Sequence, residues 1–333
     1  MSDRLSYPLF FEPQLRHYIW GGRNLEILYG RQLPPGRTAE SWEISGHRDA
    51  PTVVANGPLT GESLITLVAR MGKDLVGWRA EGSCGAGSFP LLVKLLDAQQ
   101  DLSVQVHPDD DYALTHEPGE RGKVETWYVL SAGADARLVY GLRPGIDRSA
   151  LAGALERGSV ADVLAYLPVK PGDCVHVPAG TLHAIMAGTV VVEVQQTSDA
   201  TYRLFDWGRL GHDGRPREVH IDKALATIRW DSPAPGTVVP RPLDTDNGVR
   251  QWELVRCPQY NLDKIELSPG AAFDGHCSGE TFEIWGCVEG EATVSAGGEW
   301  ELAAVRFALL PAIVGRYRIS SGSGATLLRA YCG

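Results

Sequence analysis

Basic residues are too few to balance the acidic ones: 31 Lys and Arg stand against 41 Asp and Glu, a net charge of −10 over 333 residues. Nucleic acid and anionic membrane surfaces both require a basic face, so neither is expected as the main partner. No apolar run approaches membrane-spanning length, and "MSDRLSYPLFFEPQLRHYIWGG" has no basic stretch leading into an apolar core. The expectation is a cytoplasmic protein. The cysteines, Cys84, Cys174, Cys257, Cys277, Cys287 and Cys332, contain no CxxC pair and are expected to be reduced thiols. Only Cys277 and Cys287 invite a pairing, across a hairpin. Low-complexity segments are absent too.

Glycine and proline, by contrast, are plentiful, 38 and 21, which favours many short elements joined by tight turns and so a β architecture. The length suits two domains. The best linker is "RWDSPAPGTVVPRPLDTDNG" (229–248), giving a first domain over 1–235 and a smaller β domain over 236–333. Helical spacing appears at 60–72, where Leu64, Leu67, Val68 and Met71 share a face and Thr60 offers a cap. It recurs at 148–167, broken by Gly158, and at 221–228. "FPLLVKLLDA" (89–98) reads as a strand covered on both faces, with Lys94 its one interruption.

The segment "LSVQVHPDDD" (102–111) alternates as a strand, but Ser103, Gln105 and His107 make one face polar. A second strand, "GKVETWYVL", puts Lys123, Glu125 and Trp127 on one side. His183 follows a turn forced by Gly172, Pro178 and Gly180. Two imidazoles, a carboxylate and an amide form a mixed N/O donor set for a divalent ion: zinc, with iron or manganese also fitting. One carboxylate against a divalent ion leaves about +1, suited to a Lewis acid. The remaining histidines, His17, His47, His116, His212, His220 and His276, read as ordinary hydrogen-bonded residues, with His176 packing beside the site. The run Asp109–Asp111 reads as a solvated loop.

The spacing G-x5-P-x-G-x2-H, met by Gly172, Pro178, Gly180 and His183, resembles the second motif of the cupin superfamily, although Ala187 stands where that motif ends in Asn. "KLLDAQQDLSVQVHPDD", "GKVETWYVL", "VPAGTLHAI" and "TYRLFDWGR", in that order, with "YIWGG" and "ESWEISGH" before them, are similar to type I mannose-6-phosphate isomerases of the short bacterial form. The resemblance is strong from about residue 8 to 230 and weak beyond. It implies a mainly β fold, a jelly-roll cupin barrel with short helical additions and a second, smaller β-barrel or sandwich. It implies one Zn2+ per chain on Gln105, His107, Glu125 and His183. It also implies sugar and phosphate contacts at Lys94, Ser103 and Lys123, and catalytic roles for Arg203, Glu193 and Lys123. The partner it implies is a sugar phosphate, in a monomer or small homo-oligomer. The C-terminal domain, lacking a histidine pair, is expected to hold no metal.

Aldose–ketose interconversion moves a proton between C1 and C2 through an enediol, and a cationic site would hold the developing oxyanion. Glu193 is the candidate base, and a hydroxide on the ion is its rival. A buried Lys94 calls for an anionic partner, which a substrate phosphate would supply. Arg203 could instead pair with Asp206. Two other classes fit parts of the pattern. A cupin Fe(II) oxygenase is disfavoured by Gln105 and the Lys94/Lys123 pair, and a non-catalytic sugar-phosphate-binding cupin could dispense with Arg203.

Overall fold

The computed structural model describes residues 5–80, 87–211, 213–231 and 236–333. Cys84, His212 and residues 232–235 of the expected linker, at the edge of the expected domain boundary, lie outside them. The chain is mainly β, as expected, and divides into two compact units. One comprises Leu15–Glu40 and Leu95–Thr237, and the other Met1–Gln14, Ser41–Lys94 and Val238–Gly333.

In the first unit, one sheet runs Cys174–Val177, Glu125–Ala132, Thr189–Gln196, with Leu91–Ala98 next in order. The other runs Tyr202–Phe205, Val104–Val106, His183–Ile185, Arg137–Leu142, Leu164–Pro168. Side chains alternate across each strand, so Trp127, Val129, Val175 and Val191 of one sheet share a core with Leu138, Tyr140 and Ile185 of the other. The outer face of the second sheet, with Val104, Val106, Val139 and Leu204, is covered by Leu151, Ala224 and Leu225. These last three lie on helices Arg148–Glu156 and Ile221–Thr227. Burying each such side chain stabilises by roughly 1.5–3 kcal/mol. The valines between the polar residues of 103–107 therefore face the helices, and the polar side faces inward.

Local chemistry corrects four expectations. Helix Leu64–Met71 is capped by Ser63, whose Oγ accepts from Thr66 N, and not by Thr60. Asp109 is no loop residue: it caps helix Asp110–His116 by accepting from Tyr112 N, with Asp110 and Asp111 favourably placed in the first turn. Gly158, at φ 66°, ends the expected long helix, and the chain continues as a 3-10 turn, Val160–Val163, and the Leu164–Pro168 strand. Within the expected linker, Arg241–Asp246 pairs with Val249–Arg256. The loop between them is Asn247–Gly248, both at positive φ, as a type I′ hairpin requires.

In the second unit, a six-stranded and a four-stranded sheet share one core that includes Val249, Ile265, Trp285, Leu327, Val294 and Ile319. Its N-terminal segment joins through the Leu9↔Leu309 bridge, with hydrogen bonds of 2.8 and 2.9 Å. Residues 73–77 join through Ala312 N to Leu75 O and Phe282 N to Val76 O. Gly77, at φ 85°, has no room for a side chain, since a Cβ would lie 2.4 Å from Glu280 O. Cys277 pairs in register with Gly315, and Cys287 with Arg306 and Leu327, so the two do not face each other. All five described cysteines are free thiols.

This unit repeats a short pattern from the other: Glu283–Ile284–Trp285 echoes Glu125–Thr126–Trp127. Glu283 is buried and receives Arg329 Nη2 at 2.6 Å, Trp285 Nε1 at 2.8 Å and the Tyr317 hydroxyl. Its two oxygens are thus held by an internal guanidinium and two neutral donors.

Candidate metal centre and active site

Strand register assembles the site. Gln105 is the direct cross-strand partner of both His183 and Arg203, so these three lie on one face of one sheet. On the other sheet Glu125 pairs with Gln195, and Trp127 with Glu193, again on one face. The turn before His183 depends on Gly180 at φ 81°, where a Cβ would lie 2.6 Å from Arg229 Cγ. Gly180 N donates to His107 O at 2.9 Å, tying the two histidine segments together. Lys123 is brought in by its N–H bond to Pro108 O.

His107, Glu125 and His183 are all buried, with one ligand atom of each lying within 4.8 Å of the others. His107 Nε2 is 3.2 Å from Glu125 Oε1, and His183 Nε2 is 3.4 Å from Glu125 Oε2. A four-coordinate ion with bonds of about 2.0–2.2 Å sets its ligands roughly 3.3–3.6 Å apart, so the spacing fits. The opposite ring nitrogens point at backbone: His107 Nδ1 at Ala200 O, 2.9 Å, and His183 Nδ1 at Thr181 O, 2.8 Å. A carbonyl only accepts, so each Nδ1 carries the hydrogen.

Burial pushes both imidazoles toward the neutral form, His183 down to about 3, and Lys123 adds to the effect at His107. Their Nε2 lone pairs therefore face a carboxylate. Burial by itself would raise the Glu125 carboxyl, but Lys123 and the two imidazoles hold it well below the usual range. Acceptors converging on one buried point repel unless a cation lies among them. Lys123 Nζ, 2.5 Å from Glu125 Oε1 and 3.3 Å from His107 Nε2, supplies one positive charge. Neither Glu125 oxygen meets hydrogen-bond geometry among the described residues, so the Lys123 contact is electrostatic rather than directed. The donor set fits a divalent metal ion.

The remaining expected residues fall into place unevenly. Gln105 turns its amide nitrogen to His183 Nε2, 3.5 Å, while its oxygen receives Ser103 Oγ at 3.3 Å. Acting as a ligand would require the oxygen instead, an exchange of amide ends by rotation about the last side-chain bond. Glu193 is buried and accepts from Trp127 Nε1 at 2.8 Å. Arg203 donates Nη1–H to Glu218 O at 2.7 Å, and its buried Nε has no partner among the described residues. Burial and nearby Arg217 lower its pKa. It makes no pair with Asp206, whose carboxylate is taken by Arg209 and Arg217. Lys94 belongs to the other unit, buried with its ammonium 4.7 Å over the Trp42 ring, so its contacts include an aromatic face. His176 sits on the opposite face from Glu125, its Nδ1 3.0 Å from Thr126 Oγ1.

Two residues escaped the sequence reading. Trp127, which looks like core, touches Glu193 by its N–H and presents its ring edgewise to His183, centroids 5.3 Å apart. Gln195, opposite Glu125, donates to Gln196 O and Ser198 O and leaves a buried, unpartnered Oε1. Only its period-2 position on the Glu193 face could have signalled it.

The family described as phosphomannose isomerase type I, catalytic domain, matches residues 9–122. The probable mannose-6-phosphate isomerase GmuF of Bacillus subtilis is 36% identical over 316 residues, covering 95% of this chain and 96% of that protein. The chain belongs to the type I mannose-6-phosphate isomerase family. Another member, the mannose-6-phosphate isomerase of Streptococcus mutans, is 39% identical over 79% of this chain and 80% of its own length. Among solved structures, the mannose 6-phosphate isomerase from Bacillus subtilis superposes with a TM-score of 0.86 at 33% identity, covering 97% of this chain and 99% of that one. The expected mainly β, cupin fold is the fold of this family. No helix among the described residues is long and apolar enough to cross a membrane.

Proposed function

We infer that this chain is a mannose-6-phosphate isomerase, interconverting mannose 6-phosphate and fructose 6-phosphate. The single observation that carries the reading, beside family membership, is the convergence of two neutral imidazole lone pairs on the Glu125 carboxylate. His107, Glu125 and His183, with Gln105 as the fourth donor, would hold one Zn2+. When bound, that ion supplies Lewis acidity at the oxygens of the open-chain sugar. With Glu125 at −1, Lys123 at +1 and the ion at +2, the centre would carry about +2, which draws a sugar phosphate despite the chain's overall −10.

The chain's own groups do the rest. Arg203, with an uncommitted Nε–H, and Lys123 donate to the carbonyl oxygen as negative charge builds on it, worth roughly 3–4 kcal/mol per donor. Glu193 takes the proton from C2 of the aldose, the C1 oxygen gains a proton as the C2 hydroxyl gives one up, and Glu193 returns its proton to C1. Ser103 contacts the sugar and Lys94 the phosphate. Every residue given a role precedes position 235, so catalysis is assigned to the 1–235 part of the sequence and none to 236–333. The setting is cytoplasmic, and the assembly a monomer or small homo-oligomer.

The test is formation of fructose 6-phosphate from mannose 6-phosphate, with and without a chelator, followed by addition of Zn2+. Turnover that vanishes with the chelator and returns with zinc is the expected result. Substrate binding without any turnover would leave a sugar-phosphate-binding cupin, and turnover indifferent to chelation would remove the metal from the reading.

A further inference from the structure

Glu193 is a poor candidate for a proton carrier unless something fixes its carboxylate. A glutamate has three rotatable bonds, and proton transfer demands placement within hydrogen-bond reach of two adjacent carbons. We propose that Trp127 is the positioning residue for Glu193, its indole N–H clamping one carboxylate oxygen so that the other is presented to the substrate. This rests on the reading of Glu193 as the group that moves the proton.

The geometry supports it in three ways. The bond is 2.8 Å between two buried side chains, so water competes poorly for it. Trp127 and Glu193 are direct cross-strand partners, on adjacent strands of one sheet, so the backbone itself fixes their separation. An indole has one N–H and no acceptor, so the carboxylate oxygen it meets must be unprotonated or turn its lone pair to it, leaving the second oxygen to carry the proton. The same ring lies edge-on to His183, at 66° and 5.3 Å. One rigid side chain thus references the proton-moving carboxylate to the proposed metal ligand. A phenylalanine would pack equally well at a position that served only as core.

Four variants test this in the zinc-loaded enzyme: Trp127→Phe, Glu193→Asp, Glu193→Gln, and Trp127→Phe combined with Glu193→Gln. Trp127→Phe keeps a ring against His183 and deletes the N–H. The expected result is kcat lowered about tenfold or more, as for a lost hydrogen bond to a charged group. KM and zinc content should stay unchanged. Glu193→Asp draws the carboxylate one methylene back from the indole and should show the same split. In the Glu193→Gln background, Trp127→Phe should cause no further loss. Full kcat in Trp127→Phe overturns the proposal, as does an equal further loss on top of Glu193→Gln, since the indole would then act through another group. A variant that loses zinc in proportion to kcat also overturns it, by placing the role at His183. Should Trp127→Phe not fold, wild-type kcat in Glu193→Asp overturns it from the other partner. Wild-type kcat in Glu193→Gln would instead sink the reading of Glu193 itself.

Discussion

Gln105 and Arg203 are direct partners across two antiparallel strands, so a proposed metal ligand and the proposed oxyanion donor are held on one face with no loop between them. Arg203 has its Nη1 bonded to Glu218 O and its Nε uncommitted. Arg203→Lys keeps the charge and loses the planar fork. We expect kcat to fall about 10²–10³-fold with zinc content unchanged, measured by isomerase assay and metal analysis.

Glu125 is the one carboxylate of the cluster, and it also neutralises the buried Lys123 ammonium. Glu125→Gln should abolish zinc retention. It should also destabilise the metal-free protein by about 3–5 kcal/mol, because a buried cation is left without its counter-charge. Thermal unfolding of the chelated protein separates the two effects; an unchanged transition would show that Lys123 finds water or another partner.

His176 supplies an acid-stability prediction separate from the metal. Burial lowers its pKa to about 4 from the ordinary 6.5 or so. The unfolded chain therefore binds the proton first. Its contribution is complete above about pH 6.5, falls progressively as pH drops toward 4, and then levels off. The loss is at most about 3 kcal/mol, from 1.4 kcal/mol per pH unit over that window. His176→Asn should flatten this part of a stability-against-pH curve measured by urea unfolding; an unaltered slope would assign the acid loss to other groups.

Arg329 is the cation of the second Glu–x–Trp site, donating to buried Glu283. Arg329→Met should cost about 3–5 kcal/mol of stability, since Glu283 would be left charged and buried. Zinc content should not change. Denaturant unfolding alongside metal analysis checks both.

Much of the centre was legible because strands have a strict period of two. Ser103, Gln105 and His107 had to share a face, and a Gly–Pro–Gly turn fixed where His183 would emerge. Trp127 was not legible, because an aromatic residue two positions after a glutamate looks like ordinary core; its N–H matters only once Glu193 is known to lie across the strand pair. Asp109 was misread as loop because three consecutive acids suggest solvent, whereas the first of them serves a backbone N–H and the others the helix dipole. Asn247–Gly248 carried a clear hairpin signal that the surrounding prolines obscured. The grouping of residues before Gln14 with those after Val238 depends on contacts such as Leu9 with Leu309, 300 positions apart, which no local pattern encodes.

Arg329 also bears on how this enzyme ages and starves. A guanidinium tethered to the backbone can be neither exchanged nor scavenged, so Glu283 keeps its counter-charge whatever the supply of trace elements. Glu125 has only the shorter reach of Lys123 as a covalent substitute. Depletion of trace metals would therefore idle the chemistry while leaving the Glu283 site intact, and a dormant chain could be revived by replenishment without new synthesis.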